Sequence, residues 1–493
     1  MSQDLPANDE GAREQAADPH FNVALEASAG TGKTRVLVDR YLRLLEEGTQ
    51  PRHILAITFT RKASGEMKSR IIEELRKRGP LWKELRERLF DIHIATIDAF
   101  CLGLLREFPL EAGLDPDVEL LDEVDASRLM AEAIDEVLAE AARPGGADLG
   151  FLFSCFGDAG LRRGLRDFLR SRLVKEELLH RFVAESIPRS LRLEESLRRA
   201  ATGLRDILAG AQGLDAVRAS GPPSSLLSWQ AWTYAMARAV DPHHASAIDI
   251  EKAASYFLTQ TGEPRKRLHP AFKKSDFPNP KQHEEHCDLV LARAPEVAEV
   301  YRRWMDDRDR YAVRELWKLY RRAARRFTEL KKIRGHLDFT DVLLHAVRLL
   351  EQRGEFSQSR FRLEARYHHL LIDELQDTNQ VQWRLVMALV GSWGEGAGLV
   401  QDAILAEQAA GHGGGRLREP TLFVVGDRKQ SIYGWRDARV EVMESAARHI
   451  LRLRPGGGSR LTIRRSFRVG GELLDFLNDV FSEVPQVREE LGW

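Results

Sequence analysis

The sequence predicts an α/β fold, a parallel sheet interrupted by a large helical insertion, and three observations predict it. Residues 370–377 read Leu-Leu-Ile-Asp-Glu-Leu-Gln-Asp. An apolar run ending in two carboxylates describes a buried strand that delivers Asp373 and Glu374 at its carboxyl edge, where open α/β sheets place their ligands. Residues 27–34 read Ala-Ser-Ala-Gly-Thr-Gly-Lys-Thr, a glycine turn between the mostly apolar run Phe21 to Glu26 and an amphipathic stretch. Such a turn joins a strand to a helix. Between the two, residues 121–336 are helical in texture and rich in Leu and Arg, which marks an insertion.

Taken in order, the chain opens polar and acidic, with no apolar run long enough for a signal peptide or a membrane span, so a cytoplasmic protein is expected. After the strand at Phe21 to Glu26 comes the turn Ala27, Ser28, Ala29, Gly30, Thr31, Gly32. Gly30 and Gly32 permit positive φ and leave backbone N–H groups free to converge on phosphate oxygens. Lys33 opens a helix whose N-terminus favours negative charge. Lys33 is expected to reach the β- and γ-phosphates of a nucleotide, and Thr34 to ligate magnesium. Val36, Leu37, Tyr41, Leu44 and Leu45 lie on one apolar face of that helix. The first residue of the turn is Ala27, where the usual pattern has glycine. A plain glycine turn before a surface helix is the alternative, and the Asp-Glu strand opposes it: Asp373 can hold the magnesium ion and Glu374 can polarise a water.

Ile54 to Phe59 alternates, which predicts a strand with one buried face. Phe59 then either stacks a base beside its basic neighbours or belongs to the core. Helical periodicity runs from Ala126 to Ala142; Leu161 to Leu208 and Val297 to Ile333 are Leu- and Arg-rich, and loops are expected at 222–225 and 272–280. Residues 391–415 form a glycine-rich excursion. Beyond it, Trp435 sits between Tyr433 and Arg436 just past a strand end, where a large aromatic calls for a ligand. Gln430 carries no charge and follows Asp427, so it can sense a γ-phosphate or its attacking water. At 493 residues the prior is about three domains. Three cysteines without paired or metal-ligand spacing suggest a reducing compartment and no zinc or iron–sulfur site. Net charge is −1, so any nucleic acid must bind a local basic surface. Arg162 to Arg205 and Arg302 to Lys332 are the candidates, and both also read as charged faces of amphipathic helices.

Several segments, in order, resemble superfamily 1 DNA helicases of the UvrD/Rep type, and within that group the RecB and AddA subunits of double-strand-break-processing complexes. Arg13-Glu14-Gln15-Ala16 resembles the adenine-reading glutamine motif; without the family, Gln15 reads as an ordinary solvated residue. Residues 57–63, with Phe59, Thr60 and Arg61, resemble the segment that touches single-stranded DNA. Residues 95–101, with Thr96, resemble the Thr-Ile-His-Ser-Phe motif. Residues 425–436 are the most specific match and carry Gln430, Tyr433, Trp435 and Arg436. Leu461 to Arg468 resembles the Asn-Phe/Tyr-Arg motif that opens a second motor domain, and Leu337 to Asp341 the Asp-Phe-x-Asp return to the first. Asp98 stands where many relatives have His, Trp435 where many have Phe, Asp437 where Gly is frequent, and Ser466 where Asn is usual. Thr96 is therefore carried over and Asp98 is not.

The resemblance implies a P-loop, RecA-like parallel-sheet motor domain at 1–120 and 337–452, a helical insertion at 121–336, and the start of a second RecA-like domain at 453–493. It implies an ATP-dependent DNA helicase with DNA-dependent ATPase activity, using ATP and Mg2+, moving 3′ to 5′ on single-stranded and tailed duplex DNA in recombinational repair. The partner it implies is a second helicase-nuclease subunit. Asp373, Glu374, Gln430 and Arg468 would carry the hydrolysis, Arg468 through its planar fork of donors. A non-catalytic ATP- and DNA-binding clamp, or a partner-dependent subunit, is the alternative. A P-loop kinase or transporter ATPase would not need Gln376-Asp377 or residues 430–433. Because the chain stops soon after Arg468, it reads as an N-terminal fragment, expected to bind ATP, hydrolyse it slowly and unwind no duplex.

Overall fold

The computed structural model describes residues 9–142, 148–210, 213–351, 366–391, 419–432, 434, 438–453, 457–468 and 470–482. It divides into two compact units, 1–126 with 331–493, and 127–330.

The first unit is built on six parallel strands: β1 Asn22–Ala27, β2 Ile54–Thr58, β3 His93–Thr96, β4 His369–Ile372, β5 Thr421–Gly426 and β6 Gly458–Ile463. Their order is β3-β2-β4-β5-β1-β6. β2, β4 and β5 are buried at every position. This corrects the alternation expected from Ile54 to Phe59: a central strand of a parallel sheet is covered on both faces, so its residues need not alternate. β6 pairs with β1 along its whole length, Asn22 opposite Gly458 to Ala27 opposite Ile463. Residues 458–463, expected at the start of a second domain, are thus the edge of this sheet.

Helix α1 spans Asp9–Ala17, α2 Lys33–Glu46, α3 Arg61–Lys77 and α4 Ile97–Glu107. Val36, Leu37, Tyr41, Leu44 and Leu45 of α2 are all buried, as their spacing predicts, and share a core with Leu25, Ile54, Ile71 and Phe423. Arg40, on the same helix, is completely buried. Its guanidinium donates to the carbonyls of Ala16, Asp18 and Phe21 and lies over the Phe423 ring. It ties α1 and the turn after it to the helix that follows the glycine turn. Near the return from the insertion, buried Lys331 pairs with Asp338 at 2.9 Å and with Asp341. The two aspartates also accept each other's backbone N–H, so the Asp-Phe-x-Asp segment caps the helix Phe339–Glu351 while neutralising a lysine.

The second unit is helical, as its texture predicts. Its core gathers Trp229, Trp232, Met236, Tyr256, Phe257 and Trp304. The helix expected from Val297 begins earlier, at Pro280, and runs to Ile333 with Pro295 inside it. A proline inside a helix removes one backbone hydrogen bond, and this helix continues through it. His286 is buried in this core, its ring nitrogens 2.6 Å from the Tyr256 hydroxyl and 2.9 Å from the Ser220 hydroxyl. Among the described residues no helix is long and apolar enough to cross a membrane. The excursion expected at 391–415 falls, after Gly391, outside the described residues.

Candidate active site

Six parallel strands present six carboxyl ends at one edge of the sheet, and the candidate residues follow those ends. β1 leads into the glycine turn, β2 into Phe59, Thr60 and Arg61, and β3 ends at Thr96. β4 leads into Asp373 and Glu374, β5 into Asp427 and Gln430, and β6 into Arg468.

In the turn, Gly30 has φ +75° and Gly32 φ +82°, the left-handed region that an L side chain resists. Gly30 is also crowded: a Cβ there would lie 2.6 Å from Ser466 Oγ and 2.7 Å from Arg468 Cβ. The Phe467 N–H donates to the Gly30 carbonyl at 2.9 Å. Ser466, Phe467 and Arg468 therefore run directly over the glycine turn. The Thr31 hydroxyl closes the turn on the Ser28 carbonyl at 2.8 Å. Ala27 is buried, Ser28 and Ala29 are exposed, and Thr34 is half-buried in the first turn of α2. The cap of α2 is Gly32, which has no side chain to occupy the first N–H groups, so they suit an anion.

Lys33 is buried, and its Nζ donates to Glu374 Oε2 at 3.0 Å. Glu374 is the one non-glycine residue with positive φ (+53°) among the described residues. Such a conformation costs about 1–3 kcal/mol, a strain typical of functional sites. The Glu374 N–H donates to Asp373 Oδ1 at 3.0 Å. Burial, then the neighbouring Glu374 charge, pushes the Asp373 carboxyl up to about 6, against the pull of Lys33. Asp377 is raised to about 6 as well, by burial and then by Glu374. Asp373 and Asp377 are thus both held above the ordinary carboxylate range although Lys33 is close enough to pull each of them down. A divalent cation would favour the ionised form of such a carboxyl, and the donor set of Asp373 with the Thr34 hydroxyl would suit magnesium.

Gln430 donates from Nε2 to Asp427 Oδ2 at 2.7 Å. Gln15 donates to the Ser459 hydroxyl on β6 at 3.0 Å, so its amide is engaged inside this unit. Arg13 lies over the exposed Phe467 ring at 5.1 Å, and Asp9 accepts the backbone N–H groups of Arg464 and Arg465. The Arg468 side chain is exposed. Phe59 is half-buried and borders a small pocket with Ile97, Ile372, Asp373 and Leu375. Thr60 and Thr96 both serve as helix caps, accepting the N–H of Ala63 at 3.1 Å and of Ala99 at 3.2 Å. Arg61 is exposed. Tyr433, Trp435 and Arg436 lie outside the described residues. Asp9 and Arg40 carry no motif signal in the sequence, and Arg13 and Gln376, although they fall within recognised segments, are given no role by the sequence alone.

A glycine-turn cradle, a buried lysine and a strand-end Asp-Glu pair at one edge of a parallel sheet define a P-loop nucleotide-binding protein. The UvrD/REP helicase N-terminal domain family matches residues 8–450, and the chain belongs to that family. Among curated proteins it is similar to the A subunit of the ATP-dependent helicase/nuclease of Pelotomaculum thermopropionicum (27% identical over 94% of this chain). The proteins of the same name from Listeria monocytogenes (26%) and Moorella thermoacetica (27%) are each matched over 94% of this chain too. The chain spans 37%, 38% and 34% of these three relatives' lengths, respectively.

Proposed function

We propose that this chain is the ATP-driven motor of a DNA helicase that moves 3′ to 5′ along single-stranded DNA in double-strand-break repair. The observation that carries the reading is the Lys33–Glu374 contact at 3.0 Å, which joins the two halves of an ATP site across 341 residues of sequence. Lys33 exchanges Glu374 for the β- and γ-phosphates, and the glycine turn's N–H groups hold the remaining oxygens. Gln15 reads the adenine. Thr34 and Asp373 would hold magnesium, which would supply positive charge to the phosphates. Glu374, released from Lys33, accepts the proton of the attacking water, and Gln430 orients that water through a neutral amide.

Arg468 approaches the γ-phosphate from the segment over Gly30. Its guanidinium is exposed, and an unpacked fork is poorly preorganised, so the 493 residues alone hydrolyse ATP slowly. Phe59 and Trp435 stack bases, while Thr60, Arg61, Thr96, Tyr433 and Arg436 hold the backbone of the strand. The similar helicase/nucleases are named as one component of an assembly, which supports a partner chain here. Residues 121–336 are read as the helical insertion, and a second motor domain begins beyond β6, with the helix Gly471–Ser482 as its first element. A motor grips and releases its track as nucleotide changes. Fluorescence anisotropy of an oligo(dT) should therefore give clearly different affinities with a non-hydrolysable ATP analogue and with ADP. Equal affinities would favour a static clamp.

A further inference from the structure

Gln376 stands between the two strand ends that carry the chemistry, and it is 1% exposed. Its Nε2 donates to Glu374 Oε2 at 2.7 Å. Its Oε1 accepts the Asp427 N–H at 2.9 Å, and its backbone carbonyl accepts the Ser431 hydroxyl at 3.2 Å. Asp427 in turn holds the Lys429 N–H through Oδ1 and the Gln430 amide through Oδ2. Lys33, Glu374, Gln376, Asp427 and Gln430 thus form one unbroken run of hydrogen bonds, with no link longer than 3.0 Å.

The polarity of the partners fixes the amide. A carboxylate needs a donor, a backbone N–H needs an acceptor, and a carboxamide supplies both from one planar group. Gly426 makes the room, since a Cβ there would lie 2.7 Å from Gln376 Oε1 and 3.2 Å from the Gln376 backbone nitrogen. Gln376, buried and bonded at both ends of its amide, transmits position rather than mere packing.

We propose that Gln376 is a positioning residue that couples Glu374 to Gln430, so that the carboxylate taking the water's proton and the amide orienting that water are set as one unit. The inference rests on the ATP-hydrolysis reading above. Lys33 and Gln376 both donate to Oε2 of Glu374. Once Lys33 turns to the phosphates, Gln376 is the hold that remains, and it ties the base to the strand end that carries Gln430.

The test measures ATP affinity and DNA-stimulated phosphate release in the wild type, Gln376→Leu, Gln430→Ala and the double variant. Gln376→Leu should lower kcat about tenfold or more, the scale of one charge-assisted hydrogen bond, with ATP affinity changed by less than about threefold. Added to Gln430→Ala it should bring little further loss, because both act through one chain of contacts. A wild-type kcat in Gln376→Leu, or fully multiplicative losses in the double variant, would overturn the role. Gln376→Glu keeps the test decisive if the leucine variant fails to fold. Its new carboxyl can bridge Glu374 and Asp427 only when protonated, so its kcat relative to wild type should rise from about pH 8 to about pH 6. A profile parallel to wild type would also overturn the role. No stimulation of the wild type by DNA would instead overturn the motor reading itself.

Discussion

Glu374→Gln should stop turnover and leave ATP binding intact or slightly tighter. The sign follows from the Lys33–Glu374 pair: Nζ and Oε2 are 3.0 Å apart, with the lysine side chain 9% and the glutamate side chain 32% exposed. Lys33 has to leave this partner to reach phosphate. A pair with one member this exposed is worth about 0–1 kcal/mol, so replacing the charge with an amide tightens ATP binding by at most about fivefold. Losing the general base lowers turnover by about 10²–10⁴. Lys33→Ala acts the other way, removing a charge-assisted bond to phosphate of about 1.5–3 kcal/mol, or roughly 10- to 150-fold in Kd. Titration of a fluorescent ATP analogue against all three proteins, with phosphate release measured on the same samples, separates these effects. Equal loss of affinity in both variants would refute the assignment of Lys33 to phosphate and Glu374 to water.

Three further outcomes follow from the same physics. Burial raises Asp373 to about 6, so the folded chain binds that proton more tightly than the unfolded chain. Ionisation above pH 6 then costs the fold up to about 3 kcal/mol, and Asp373→Asn should raise Tm near pH 7.5 but not near pH 4; equal shifts at both would contradict this. His286 is shifted the opposite way for a base, down to about 4 by burial, so the unfolded chain takes its proton first. Stability is then full above pH 6.5 and falls by up to about 3 kcal/mol toward pH 4, a slope that His286→Gln should flatten in acid titrations followed by circular dichroism. Phe59→Ala and Trp435→Ala should each cost about 1–3 kcal/mol of single-strand affinity, with strong salt dependence. A Phe59→Ala protein with lowered Tm and unchanged DNA affinity would assign that ring to the core.

The chemistry at the strand ends was legible because it is local. A glycine turn needs Gly30 and Gly32 at fixed offsets from Lys33, and an apolar run followed by Asp373-Glu374 has few other meanings. The apolar face of α2 was legible for the same reason, since a helix repeats its contacts every three or four residues. What escaped depends on contacts distant in sequence. Gln376 gains its meaning from Asp427, 51 residues away, and from a glycine that lets the two approach. Thr60 and Thr96 belong to the DNA-contact pattern, yet each also caps the helix it precedes, a local role that the motif hides. β6 reads as the opening of a new domain because its motif comes next in order, but Leu461 and Ile463 pack with the sheet core. The 54-residue helix Pro280–Ile333 begins 17 residues before the Leu- and Arg-rich stretch at Val297, and it holds Pro295 inside it.

In the function proposed above, one edge of this sheet couples ATP hydrolysis to a single strand of DNA. Phosphate release by the purified 493-residue chain, with magnesium and with or without oligo(dT), tests it most directly. A slow basal rate that rises on adding the oligonucleotide and is abolished in Glu374→Gln is the expected result. A rate indifferent to DNA, or one that persists in Glu374→Gln, would contradict it.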